Sequence, residues 1–154
     1  MGAYKLLING EMVDGDLSMD VLNPATEEKI ADCPRASEGQ LNAAVAAAKA
    51  AFPAWSKTSV DERKALVLKI ADVIEANATE LVQLLTKEQG KPLEDATVDG
   101  YGMAAFGRYF TSLDLPVEVL EDGASRRVEG HRHQRVVLGA IVPWNVPLLL
   151  MEFK

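Results

Sequence analysis

Thiols are almost absent from this chain: of its 154 residues only Cys33 carries one. No internal disulfide can form, and a reducing compartment, the cytoplasm, is the expected location. Positive charge is also short, with 16 Lys and Arg against 23 Asp and Glu and a formal net charge of -7. That deficit excludes nucleic acid, whose phosphates need surplus cations, and anionic membranes repel such a surface. No window holds the 18 consecutive apolar residues of a membrane span. The opening MGAYKLLING has no basic segment leading into a long apolar run, so no secretory signal is expected. Gly2 does not begin a myristoylation motif, because residue 6 is Leu6 rather than Ser or Thr. Repeats, low-complexity tracts and Pro/Gly/Ser-rich linkers are missing too, so 1–154 reads as one unit. What is present is the composition of a globular domain, 48% hydrophobic and 25% charged, long enough to bury a core.

The N-terminal part reads as antiparallel β. YKLLI (4–8) and EMV (11–13) flank Asn9-Gly10, the pair that tolerates two positive φ angles in a type I′ turn. MDVLN (19–23) stops at Pro24, and KIADC (29–33) returns after a polar turn. Helices follow. Ser37 opens a capping box with Gln40, ahead of an apolar stripe at Leu41, Ala44, Val45, Ala48 and Phe52, and Pro53 is expected to end that helix. Ser59 and Glu62 form a second box, with Leu66, Ile70, Val73 and Ile74 as the buried face. Asn77 is read as opening a third helix ahead of Leu81, Leu84 and Leu85, with Gly90 as its left-handed C-cap and Pro92 barring continuation. The fourth helix is expected from Leu93 to about Leu113, with Met103, Phe106, Phe110 and Leu113 along one side. Gly100, Gly102 and Gly107 each cost it about 1 kcal/mol relative to Ala, which points to another backbone packed close against them or to a break in the helix.

SRRVEGHRHQRVV (125–137) reads as a hairpin turning at Glu129-Gly130. VVLGAIV (136–142) is nearly continuous apolar and β-branched, the pattern of a strand covered on both faces in a parallel sheet. It runs into Pro143-Trp144-Asn145-Val146-Pro147.

Taken in order, NPATEEKIA (23–31), AFPAWSKTSVDERKALVLKIADVIEAN (51–77), LTKEQGKPLEDA (85–96), RYF (108–110) and GAIVPWNVPLLL (139–150) resemble the NAD(P)-dependent aldehyde dehydrogenases along nearly the whole chain. The resemblance implies oxidation of an aldehyde to a carboxylic acid. It proceeds through a thiohemiacetal on a cysteine, hydride transfer to NAD or NADP, and hydrolysis of a thioester. Asn145 is then the catalytic residue of this chain, its side-chain amide donating to the developing oxyanion without a charge of its own to balance. Val142, Pro143 and Trp144 resemble the wall of the cofactor cleft, beyond the carboxyl end of a strand where such sheets bind ligands. Val146, Leu149 and Phe153, spaced i, i+3 and i+7, resemble the lining of the substrate tunnel. Glu88 resembles a residue near a monovalent-cation site of some members. The hairpin at 125–137 resembles the sheet that joins subunits, so a homo-oligomer is expected.

Other parts of that machinery do not occur in these residues. The nucleophilic cysteine in its Gly-Gln-Xaa-Cys context, the general-base glutamate, the Gly-rich turn at the pyrophosphate and the ribose lysine are all missing, and Cys33 does not match the first. The expectation is therefore the N-terminal portion of a longer enzyme, truncated in the helix after Pro147, inactive and without bound cofactor by itself. Gln134 and Val136 stand where the family has Pro and Gly, and Gly102 stands where bulkier residues often face the tunnel.

Each residue has a plainer reading. Asn145 also suits a helix cap, and Trp144 a packing role. His131 and His133 share a face, but no Cys/His set completes a tetrahedron and no metal is expected. Arg126, Arg127, Arg132 and Arg135 suit a solvated edge or a partner subunit. Cys33 reads as a small buried hydrophobe. The expected fold is α/β: an N-terminal hairpin and four helices (1–124), the oligomerisation-type hairpin (125–137), and the first strand of a doubly wound cofactor domain with the following loop and helix (138–154). The alternative function is a non-catalytic interaction module that binds full-length subunits through its hairpin.

Overall fold

Asn9 and Gly10 take the two positive φ angles, 53° and 80°, that a type I′ turn demands. They join β1 (Leu6–Ile8) antiparallel to β2 (Glu11–Val13). The computed structural model describes residues 4–153. A second antiparallel pair follows, β3 (Leu17–Leu22) and β4 (Lys29–Arg35), with a bulge between Val21 and Leu22. Lys29 braces it by reaching Asp20 at 2.8 Å and Asp32 at 2.7 Å. Cys33 lies half-buried in β4.

Both serine capping boxes form. Ser37 caps α1 (Glu38–Trp55) and Ser59 caps α2 (Val60–Gln89). Gln40 does more than close its box. Its Oε1 also accepts the Asp16 N–H at 2.9 Å, and its Nε2 donates to the Asp14 carbonyl at 2.8 Å, which ties the β-region to the helix start. Pro53 does not end α1, which runs on to Trp55; the hydrogen bond that proline removes falls in the last turn, where little helix remains to lose. The stripe on α1 stays open, with Leu41 and Val45 at 58% and 46% exposure.

Asn77 opens no new helix. Its Nδ2 donates back to the Val73 carbonyl at 2.7 Å, four residues earlier, so the side chain follows the helix axis instead of capping. The two helices expected over 59–89 are therefore one, of 30 residues. Continuity aligns Ala71, Ile74, Ala78, Val82 and Leu85 on one buried face. Of the face expected from the larger residues, Ile74 is buried, whereas Leu66, Ile70 and Val73 are 43%, 54% and 63% exposed. The reason lies in α3 (Leu93–Ser112), which presents Ala96, Gly100, Met103, Ala104 and Gly107 and so accepts small residues opposite. Leu85 and Val82 meet Ala96, while Ala71 meets Gly107, so the helices run antiparallel. Gly90 makes the turn between them, left-handed at φ 75°.

A Cβ on Gly100 would stand 2.7 Å from Val82 Cγ2, and one on Gly102 would stand 3.3 Å from Leu149 Cδ1. The close approach expected at these glycines is thus made by side chains. Overpacking costs roughly 1–3 kcal/mol and the helix gains about 1 kcal/mol from Ala over Gly. Gly100→Ala is expected to lose about 1 kcal/mol in urea unfolding, and Val82→Ala in the same chain to relieve the clash. Gly102→Ala is expected to be close to neutral.

The later β-pair is displaced from its expected place. β5 (Glu118–Asp122) pairs antiparallel with β6 (Arg127–Gly130). The reversal falls at 123–126, where the Gly123 N–H meets the Arg126 carbonyl at 2.9 Å, and Glu129-Gly130 lies within β6. Residues 136–142 form no strand, because among the described residues none pairs with them. A strand exists only through a neighbour's hydrogen bonds, and Leu138 and Ile141 stay 63% and 87% exposed. The sheets described are three two-stranded antiparallel ones. The fourth helix is the short α4 (Pro147–Glu152), whose Leu148 packs against the α2–α3 core. No described helix is long and apolar enough to cross a membrane.

Candidate functional site

Asn145 sits in the turn that leads into α4, and the turn is held from below. Val146, in the cap position, makes no side-chain cap bond. The first turn of α4 takes its acceptor from another helix: Asp99 of α3, 1% exposed, receives the Leu149 N–H on Oδ1 at 2.6 Å. The other oxygen of Asp99 meets Lys91 Nζ at 3.2 Å, and that ammonium also donates to the Asn145 carbonyl at 2.7 Å. Gln89, the last residue of α2, donates from Nε2 to the Trp144 carbonyl. A buried carboxylate near helical N–H groups and a cation is favourable on both counts.

These anchors grip backbone atoms only. No hydrogen bond joins the Asn145 side-chain amide to another described residue, and the residue is exposed. The capping role open to Asn145 is taken by Asp99. Trp144 is likewise 79% exposed. Val142 is half-buried and joins Pro147 and Leu148 over Leu81, Leu84 and Glu88 around a cleft of about 210 Å³. Pro143 is exposed. Leu149 leans on Gly102, and Phe153 meets Phe106 and Phe110 edge-on at 5.1 and 5.7 Å between ring centres. Val146 is half-buried.

Sequence reasoning missed Gln89, Lys91 and Asp99. A signal was there for Asp99: it stands three residues after Ala96 and four before Met103, inside the small-residue face that α3 buries.

Glu88 lines the cleft under Val142 and a second one against β4. Glu88 is exposed overall, and partial desolvation against these apolar walls pushes its carboxyl above the usual range. The folded state thus holds the proton more tightly than the unfolded state. Relative to a neutral side chain, Glu88 is neutral in effect at low pH and destabilising once pH rises through its folded pKa. Glu88→Gln is expected to raise the melting temperature at neutral pH, with the gain vanishing below about pH 4; thermal scans across pH check this.

Three of the four arginines in 125–137 are paired. Arg126 bonds Glu121 at 2.7 Å, Arg127 bonds Glu129 at 2.8 Å and Asp122 at 3.3 Å, and Arg132 bonds Glu118 at 2.5 Å. That is a charge-matched edge rather than a phosphate patch. His131 meets Glu129 at 3.0 Å and stacks on His133. Among the described residues no three His, Cys, Asp or Glu side chains are grouped to hold a metal.

Residues 12–154 match the profile of the aldehyde dehydrogenase family, and the chain belongs to that family. A protein from Pseudomonas sp described as a probable aldehyde dehydrogenase is 42% identical over 152 residues, 99% of this chain and 31% of that protein. A mutant aldehyde dehydrogenase from Bacillus cereus superposes with a TM-score of 0.89 at 33% identity, covering 99% of this chain and 33% of its own. PnpE, solved in complex with nicotinamide adenine dinucleotide, gives 0.84 at 34% identity, over 99% of this chain and 32% of its own. The chain thus spans about 31% of the length of the Pseudomonas relative.

Proposed function

We propose that these residues form one wall of the active-site cleft of an NAD(P)-dependent aldehyde dehydrogenase, which converts an aldehyde to a carboxylic acid. The observation that carries this is the exposed Asn145 amide, free of internal partners, on a turn whose backbone is tied on both sides. With the backbone of the turn held in place, the amide starts from a fixed base, so little of the frame around a developing negative charge has to reorganise at the moment of reaction.

Val142, Pro143 and Trp144 supply an apolar edge with backbone carbonyls, which fits one side of a nicotinamide dinucleotide. That cofactor, when bound, accepts the hydride. Val146, Leu149 and Phe153 form the apolar side toward the aldehyde, and the seat of Leu149 on Gly102 and of Phe153 on Phe106 and Phe110 supports the reading. The nucleophilic cysteine and general-base glutamate belong to sequence outside these 154 residues, so the chain alone neither turns over nor binds cofactor. In the working enzyme the β5–β6 edge meets a partner subunit of a cytoplasmic homo-oligomer. Neither nucleic acid nor membrane is a partner.

The test is the intact mass of the natural gene product together with aldehyde-dependent NAD(P)H formation. Turnover by that product, with none from residues 1–154 alone, is the expected result. A gene product of 16.7 kDa with neither turnover nor cofactor binding overturns the proposal.

A further inference from the structure

We propose that Gln89 and Lys91, with Asp99 behind them, are positioning residues that aim the Asn145 amide by clamping the backbone of the 144–149 turn. The two donors flank the left-handed Gly90 at the α2–α3 turn. From there they reach adjacent peptide units: Gln89 the Trp144 carbonyl and Lys91 the Asn145 carbonyl. Asp99 completes the clamp by holding the Lys91 ammonium on one oxygen and the Leu149 N–H on the other. Three constraints, at 144, 145 and 149, leave the Asn145 side chain little freedom except its own rotamer. The turn needs them, because Val146 provides no cap and α4 is only 6 residues long, too short to hold itself together.

The arrangement differs from ordinary core stability in one respect. Gln89 touches the turn from the helix end, outside the buried α2–α3 face. Removing its donor therefore loosens the turn without opening the core. Its effect on oxyanion stabilisation rests on the reading of Asn145 given above, whereas the clamp itself does not.

The experiment is amide hydrogen exchange on the full chain carrying Gln89→Met. The Leu149 and Leu150 amides, bonded to Asp99 and to the Val146 carbonyl, report the turn. The Ile74 and Met103 amides report the core. Loss of the tie is expected to speed Leu149 and Leu150 about tenfold and to leave Ile74 and Met103 unchanged. Equal acceleration of all four, or of none, overturns the clamp. Lys91→Met adds a second probe, but it leaves Asp99 buried and unpaired, so the Gln89 variant decides. In the gene product that shows turnover, the same substitution is expected to lower kcat about tenfold or more at nearly constant KM. Faster exchange at the turn with kcat unmoved overturns the positioning role, and Asn145→Ala, which removes the amide itself, separates that outcome from a failure of the oxyanion reading.

Discussion

Asp99→Leu is expected to lower the stability of the chain by about 3–5 kcal/mol, the loss seen when one partner of a buried ion pair is removed. Asp99 is 1% exposed and the Lys91 side chain 14%, so water cannot replace the lost carboxylate. The ammonium is left with the Asn145 carbonyl alone, and the Leu149 N–H loses its acceptor. Against the roughly 5–15 kcal/mol that holds a typical domain folded, such a loss brings the chain near its limit. Lys91→Met strands the opposite charge and is expected to cost a similar amount. The double variant is the informative one. Replacing both charges by apolar side chains is often close to neutral, so Asp99→Leu with Lys91→Met is expected to recover most of the loss. Urea unfolding of the wild type and the three variants gives the coupling directly. Simple addition of the two single losses would show that the charges act separately and that the pair is not the unit described.

Signals confined to a few neighbouring residues are legible in the amino-acid sequence. Asn9-Gly10, the Ser37–Gln40 and Ser59–Glu62 boxes and Gly90 specify their conformations through local hydrogen bonds and φ preferences, and each takes the form expected. Asn77 carries the same kind of signal and is overruled. A break there would separate Ala71 and Ile74 from Ala78 and Val82, and the buried face against α3 needs them in line. Tertiary packing outweighs one cap, which is worth about 1 kcal/mol. Residues 136–142 show the limit in the other direction. Their composition is that of a covered strand, but a strand depends on a partner, and none of the described residues supplies one.

The candidate site divides in the same way. The family is legible through motifs in fixed order, and the Pro-Trp-Asn string draws attention to residues 142–146. The supports beneath that string are not legible, because Lys91 and Asp99 are 54 and 50 residues away from their targets in the turn. In the sequence Asp99 is one more acid among Glu94, Asp95 and Asp99. Only burial separates it from the others, and burial is a property of the helix pair.

Asn145→Ala is expected to lower kcat of the turnover-competent gene product about 10²–10³-fold, the usual cost of one oxyanion donor, with little change in KM. The geometry explains why activity and stability should part here. Lys91 holds the Asn145 carbonyl and Gln89 holds the Trp144 carbonyl, and neither bond uses the amide that alanine removes. Asp99, and not Asn145, accepts from the first turn of α4. Urea unfolding of Asn145→Ala should therefore stay within about 0.5 kcal/mol of wild type, as for exposed positions free of internal contacts. If Asn145 were instead a structural residue of the turn, stability and kcat would fall together and the amide exchange of Leu149 would quicken. A loss of kcat alone leaves the side-chain amide as the group that acts on the reacting oxygen.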